Sequence, residues 1–234
     1  MTISSFIEEL NKLGITLDDD RLAKLEKYFE LLVEWNNHMN LTGITEKEDV
    51  YLKHFYDSLT LFKSIDLNSV ETLCDIGTGA GFPGLVIKIA FPNIKVTLVD
   101  SLNKRINFLN EVIKELGLKD IEIISTRAEE YSIKNREIYD VVVARAVASL
   151  PILLEYSTPL VKVGGYFIAM KGNNDEVGEL KDIYKKLNIE LVDVQTFLLP
   201  YENSNRALIK FKKIDSTNKL FPRKYADIKK KPLK

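Results

Sequence analysis

The rhythm of hydrophobic and polar positions changes near residue 68. Before it, Leu22, Leu25, Phe29, Leu32 and Val33 recur at three- and four-residue spacing between charged residues, which predicts a helix with one apolar stripe. Asp18 to Asp20 supply N-cap candidates for that helix, and Gly14 and Gly43 punctuate the region. The helical pattern gives way to a polar turn around Trp35-Asn36-Asn37-His38-Met39-Asn40-Leu41-Thr42, and a second helix is predicted over residues 46–62. Beyond residue 68, short apolar runs alternate with helical segments. Strands are predicted over residues 70–76, 94–99, 121–124, 139–144, 165–170, 189–199 and 206–213. Helices are predicted over residues 83–90, 104–116, 150–160 and 175–187, the second closed by Gly117 and the third ended by Gly164-Gly165.

Such alternation predicts βαβ units and an α/β fold, a doubly wound, mostly parallel seven-stranded sheet of Rossmann-like type. The last two strands are joined by a polar loop too short for a crossover helix, so they form an antiparallel terminal hairpin. The organisation read from the chain is an N-terminal helical cap (1–68), the sheet domain (69–214) and a basic C-terminal tail (215–234).

Composition narrows the class. Of the 234 residues 45% are hydrophobic and 29% charged, enough for a real core on an ordinary polar surface. No run approaches the ~20 apolar residues of a membrane span. The acidic pair Glu8-Glu9 stands where a signal peptide would be basic and then apolar. Cys74 is the only cysteine, and with His38 and His54 it completes the soft ligands, so neither an internal disulfide nor a metal site is expected. These readings give a soluble, reduced, cytoplasmic protein away from membranes. The net charge of −1 hides an asymmetry: from Arg206 onward eleven basic residues face only Asp215 and Asp227. A basic end on an acidic body predicts a polyanionic partner.

The densest motif is Asp75-Ile76-Gly77-Thr78-Gly79-Ala80-Gly81-Phe82-Pro83-Gly84, placed between a predicted strand and a predicted helix. There, missing side chains let a ligand approach the backbone, and the helix start offers free N–H groups. Gly79-x-Gly81-x-x-Gly84 matches the dinucleotide fingerprint, so an NAD(P) oxidoreductase is one reading. A carboxylate two residues before the first glycine gains nothing beside a pyrophosphate. It suits a ligand with positive charge, such as the ammonium and sulfonium of S-adenosylmethionine (SAM), and Asp75 favours that cofactor. The antiparallel hairpin points the same way by fold analogy. Asp100, at the second strand's end, would accept from ribose hydroxyls in either reading.

What is missing narrows the reaction. Cys74 lies inside a strand and is no nucleophile for methylating a pyrimidine carbon, and Ala144-Arg145-Ala146 stands where an exocyclic-amine methylase carries an Asn/Asp-Pro-Pro-aromatic clamp. A nitrogen with an in-plane lone pair, such as guanine N7, needs only in-line placement and charge compensation. Arg145, the one catalytic candidate, is ill suited to a cationic base and is expected beside the cofactor or an RNA phosphate.

At these residues the chain resembles the bacterial 16S rRNA (guanine-N7) methyltransferase G family, also called glucose-inhibited division protein B. The resemblance rests on Trp35-Asn36…Asn40-Leu41-Thr42, His54…Asp57-Ser58, the Asp75–Gly84 loop, Asp100-Ser101-Leu102…Lys104-Arg105…Phe108-Leu109 and Arg127-Ala128-Glu129-Glu130. It continues through Arg145-Ala146-Val147-Ala148-Ser149-Leu150, Met170-Lys171-Gly172 and the tail Phe221-Pro222-Arg223-Lys224…Lys230-Lys231-Pro232-Leu233. It implies a SAM-dependent enzyme that methylates N7 of a single guanine in a 16S rRNA hairpin loop near the decoding centre (guanine 527 in reference rRNA numbering), leaving S-adenosylhomocysteine. The partner implied is 16S rRNA or a 30S subunit precursor, met by a monomer.

Carried over, Gly77 and Phe82 line the SAM site, Ala128 and Glu129 hold the adenine end, and Arg145 completes the pocket. Asp75, Gly79, Gly81, Asp100 and Ser101 join them as cofactor candidates. Lys104, Arg105, Lys171, Arg223 and Lys224 are the RNA candidates, because phosphate contacts supply affinity without sequence choice. Trp35, Phe55 and Tyr56 are aromatic enough to stack a splayed base, although Trp35 sits on the apolar stripe. His54 and Asp57, three apart on a helix, could pair and tie cap to sheet. A non-catalytic RNA-binding assembly factor is the remaining alternative.

Overall fold

The computed structural model describes residues 1–174 and 177–233. Helix α1 (Ile3–Lys12) is capped by Thr2, whose Oγ1 accepts from Ser5 N–H at 3.2 Å. Helix α2 (Asp19–Met39) is capped by Asp18 and ends on Asn40 in the left-handed region (φ 48°). Asn36 Oδ1 accepts from Leu41 N–H (2.7 Å) and Thr42 N–H (2.9 Å), which fixes the turn that follows. The buried face of α2 is Leu25, Tyr28, Leu31 and Leu32, rotated from the predicted stripe so that Phe29 and Val33 lie on its flank. Tyr28 draws the helix round: its hydroxyl donates to Ala80 O in the glycine loop.

The helix predicted over residues 46–62 is a composite. It opens with α3 (Lys47–Val50), widens into a π-helical stretch (Tyr51–Tyr56), returns to α4 (Asp57–Leu59) and closes as a 3-10 turn (Thr60–Lys63). The wide turn buries Tyr51, Leu52, His54, Phe55 and Tyr56 together. Phe55 packs on Tyr28 at 5.4 Å between centroids, so neither Phe55 nor Tyr56 is free to stack a base. Trp35 packs on Phe108 at 5.7 Å, as its place on the apolar stripe suggested.

Seven strands form one sheet in the order β3-β2-β1-β4-β5-β7-β6: β1 (Thr72–Ile76), β2 (Lys95–Asp100), β3 (Ile121–Ser125), β4 (Tyr139–Arg145), β5 (Val161–Lys171), β6 (Ile189–Leu198) and β7 (Asn205–Lys213). The first five run parallel, and β7 is antiparallel to both β5 and β6. The expected sheet and hairpin are both present. Between them run α5 (Gly84–Ala90), α6 (Asn103–Glu115), α7 (Ala128–Lys134), α8 (Leu150–Ser157) and α9 (Lys181–Leu187), and α10 (Tyr225–Lys230) follows β7.

Two boundaries differ from expectation. Strand β5 begins at Val161 and runs through Gly164-Gly165, which the sequence offered as a terminator. A Cβ on Gly165 would sit 2.7 Å from Asp140 O, so glycine lets β5 lie against β4 where their register shifts. The helix predicted over 175–187 is a 3-10 turn (Val177–Glu179) followed by α9; its predicted start lies outside the described residues.

The pleat sends alternate side chains to two cores. Leu73, Val141 and Val143 join the cap, α5 and α6 on one face, while Cys74, Val142 and Ala144 join α8 and α9 on the other. Phe6, Leu25 and Phe55 of the cap thus share a core with the sheet, and each such side chain contributes about 1.5–3 kcal/mol by leaving water. Residues 215–233 dock on the opposite face. Ile228 is fully buried, Phe221 and Leu233 pack on the second core, and Arg136 Nη1 donates to Phe221 O at 2.7 Å. Lys213 Nζ, also buried, donates to Thr158 O (2.8 Å), and burial pushes its pKa down to about 8.

Candidate active site

The carboxyl ends of the parallel strands open onto a cavity of about 860 Å3, at the point where the chain winds outward from β1 in both directions. The loop after β1 forms its floor. Gly77 and Gly79 adopt left-handed backbone (φ 69° and 63°), and both line the cavity. A Cβ on Gly77 would meet Val147 Cγ2 at 2.8 Å, whereas one on Gly79 would meet nothing nearer than Gly77 O at 3.9 Å. Gly79 is therefore where a ligand can lie against bare backbone.

Two of the expected ligand contacts turn out to be packing. A Cβ on Gly81 would collide with Leu85 Cδ1 at 2.5 Å and with the Tyr28 hydroxyl at 2.6 Å; the residue faces the cap, not the cavity. Asp75 lies beneath the loop and does not line the cavity. Its Oδ2 accepts from Thr78 Oγ1 (2.6 Å) and from Gly84 N–H (2.8 Å), so it braces both ends of the turn. Oδ1 has no partner among the described residues, and burial pushes the carboxyl pKa up to about 6.

Asp100 does line the cavity. Its Oδ2 accepts from Gly79 N–H (2.9 Å) and Arg105 Nη1 (3.0 Å), and its Oδ1 from Leu102 N–H (3.0 Å). Arg105, expected on RNA, is thus committed to Asp100. Ser101 is exposed at the rim, and Ala128 and Glu129 form a wall at the first turn of α7. Burial raises the Glu129 carboxyl above the usual range. Tyr156, Tyr225 and Lys229 also line the cavity, and the Arg127 guanidinium lies over the Tyr225 ring at 4.9 Å.

Cap and sheet meet in an ionic cluster. Asp57 accepts from Arg145 Nη1 on Oδ2 and from Arg206 Nε on Oδ1, each at 2.9 Å, and is nearly buried. Arg145 also donates to Lys53 O (3.0 Å), faces His54 Nδ1 at 3.3 Å and lies 5.2 Å above the Phe82 ring. His54 and Asp57 do tie cap to sheet, but each through Arg145 and not through one another. The His54 ring stacks on Phe82 at 4.3 Å, and burial, reinforced by the Arg145 charge, lowers its pKa to about 3.

Comparison with known proteins bears on this arrangement. The family model for rRNA small subunit methyltransferase G (GidB) matches residues 21–208. The chain belongs to that family. Its relatives include ribosomal RNA small subunit methyltransferase G of Lysinibacillus sphaericus (strain C3-41), 50% identical over 228 residues and 96% of each chain. The protein of that name from Bacillus cytotoxicus is 49% identical over 237 residues, covering 100% of this chain and 99% of its own. Among solved structures, a SAM-dependent methyltransferase from Aquifex aeolicus superposes with a TM-score of 0.53 at 20% identity, over 71% of this chain and 93% of its own, which shows a shared fold.

In this methyltransferase G family chain the remaining RNA candidates are scattered. Lys171 lines the cavity and donates to Ala148 O at 3.3 Å, while Lys104 donates to Met39 O at 3.1 Å and joins α6 to the end of α2. Lys224 is exposed at the start of α10. Arg223 is not a free cation: Nε and Nη2 reach the two oxygens of fully buried Glu155 at 2.7 and 2.6 Å, and its N–H adds a third bond at 3.0 Å. Sequence reasoning gave no site role to Tyr28, Lys53, Arg206 or Tyr225, whose partners lie far away in sequence. An acid at 155, directly after the apolar run Leu150-Pro151-Ile152-Leu153-Leu154 and within the same predicted helix, is the one local signal that a distant cation answers it.

Proposed function

We propose that this chain transfers the methyl group of SAM to N7 of one guanine in 16S rRNA, guanine 527 in reference numbering, acting as a monomer in the cytoplasm on rRNA or a 30S precursor. The observation that carries the reading is the lining of the cavity in a chain of this family: bare backbone at Gly79 flanked by the acceptors Asp100 and Glu129, with an arginine-bound cluster beyond. The residues fit SAM. Asp100 would take ribose hydroxyls, Ala128 would lie against the adenine with Glu129 beside it, and Gly77, Gly79 and Phe82 would border the cofactor's length.

When bound, SAM supplies an electrophilic methyl group on a positively charged sulfur. Guanine N7 holds its lone pair in the ring plane, so this chain need not remove a proton first, and its work is placement. Asp100 holds Gly79 and Leu102 and so sets the shape of the cofactor floor. Arg145 is held by Asp57 and Lys53 O, which leaves it a fixed charge beside the site and not a mobile acid. Two arginines on one aspartate leave a net positive charge there, suited to the phosphate next to an inserted nucleotide.

Labelled SAM offered with undermodified 16S rRNA and with 30S particles, followed by N7-methylguanosine-specific chain cleavage, tests the proposal. Cleavage at one loop position is expected. Absence of transfer to both substrates overturns it; RNA binding that is equal with and without SAM would then favour an assembly factor.

A further inference from the structure

Thr42 of the cap lines the cavity with a hydroxyl whose hydrogen-bonding sense is fixed by its neighbours. A guanidinium has only donors, so His54 Nδ1, 3.3 Å from Arg145 Nη2, faces it as an acceptor. The imidazole is buried and neutral, and its single proton is therefore on Nε2. Nε2–H then donates to Thr42 Oγ1 at 2.9 Å. Ile44 N–H donates to the same oxygen at 3.1 Å. A threonine hydroxyl has two acceptor positions and one hydrogen, and both acceptor positions are now filled. The hydrogen remains, on a side chain that lines the cavity, and it meets no acceptor among the described residues.

Strand order gives this donor its place. Ala128 and Glu129 follow β3 at one edge of the sheet, whereas the Thr42–His54 pair hangs on Arg145 of β4 and neighbours Arg206 of β7 through Asp57. Through His54 the donor stands beside the Arg145–Asp57 cluster, separate from the proposed adenine wall of α7. Guanine presents N7 and O6 side by side as two acceptors; adenine presents N7 beside an amino group. A hydroxyl locked as a donor accepts the first edge and opposes the second.

We infer that Thr42, held as an obligate donor by His54 and Ile44 N–H, reads O6 of the target guanine and so selects guanine over adenine. The inference rests on the methyl-transfer reading above. Thr42 is a specificity-determining residue, and Arg145 and His54 position it.

The test uses full-length 16S rRNA ligated around a synthetic segment carrying guanine, inosine or 2-aminopurine at the target. Inosine keeps O6; 2-aminopurine keeps N7 and loses O6. The unaltered protein should methylate inosine nearly as well as guanine and 2-aminopurine roughly 10- to 100-fold less well. In Thr42→Val the guanine rate should fall roughly 10-fold or more, and the guanine to 2-aminopurine ratio should shrink towards the intrinsic reactivity difference of the two bases. Thr42→Ser should restore the ratio. Each ratio is taken within one preparation, so partial unfolding of a variant does not alter it, and S-adenosylhomocysteine affinity should be unchanged throughout. An unchanged ratio in Thr42→Val, or a loss confined to S-adenosylhomocysteine affinity, overturns the assignment. No N7 methylation of guanine by the unaltered protein would instead overturn the parent reading.

Discussion

The cavity is walled on two sides by segments outside the sheet, and each wall is joined to the sheet domain through a buried carboxylate held by arginine. On the cap side Asp57 takes one bond from each of two arginines, on β4 and at the start of β7. On the tail side Glu155 of α8 takes a forked pair from one arginine, Arg223, plus that residue's own N–H. The chemistry is shared but the connections are not. Arg145 passes on from Asp57 to Lys53 O, His54 and the Phe82 ring, so the cap joint runs into the floor of the site. Arg223 leads only to α10, which presents Tyr225 and Lys229 at the rim. One joint reaches the floor of the cavity; the other holds a wall in place.

Breaking the two joints should therefore give different phenotypes. Asp57→Ala leaves two largely buried arginines with no counter-charge and should cost about 3–5 kcal/mol of stability, measured as a lowered denaturant midpoint. It should also abolish methyl transfer in whatever fraction stays folded. Near-normal stability would mean that water already screens the pair and that the cap is not pinned at this point.

Arg223→Ala should cost slightly less, about 2–4 kcal/mol: it strands the fully buried Glu155 carboxylate, but removing a side chain that is 27% exposed opens a path for water to reach it. Its diagnostic effects are faster proteolysis after Ile214 and S-adenosylhomocysteine affinity a few-fold weaker by calorimetry. Faster cleavage with unchanged affinity would take Tyr225 and Lys229 out of the cofactor site.

The two walls were also unequally legible in the sequence. The central strands β1, β2 and β4 are buried on both faces and read as plain apolar runs, whereas β3 and β6 are mostly exposed or half-buried and were placed by the alternation of strands with helices and turns. The cap's helices showed through their periodicity, but nothing local announced the π turn that turns Tyr51, His54 and Phe55 inward. The glycine loop was recognisable as a motif, yet only Gly77 and Gly79 serve the cavity, while Gly81 and Gly84 admit Tyr28, Leu85 and Leu98. The tail was read from its charge, as a basic segment for a polyanionic partner; its apolar residues, Phe221, Ile228 and Leu233, have no regular spacing that announces packing. What folds it is remote: Glu155, and the Arg136 bonds to the carbonyls of Thr217 and Phe221. Pairing across such separations leaves no periodic trace in a single sequence.

The smallest effect separates the tail's place as a wall from any contact with RNA. Cutting the chain after Ile214 would confuse them, since it removes Ile228 and Arg223 together with the lysines. Lys224, Lys230 and Lys231 are exposed, and none of them lines the cavity. Replacing all three with glutamine should shift stability by less than about 0.5 kcal/mol per site and leave S-adenosylhomocysteine affinity unchanged. If they meet phosphates, the slope of log affinity for 16S rRNA against log salt should flatten by roughly 0.7–0.9 for each phosphate no longer neutralised. A slope that does not move would place the RNA on the cap side, where Lys53, Arg206 and Lys171 surround the cavity. The tail would then be a wall only, and its positive charge would contribute nothing to holding the substrate.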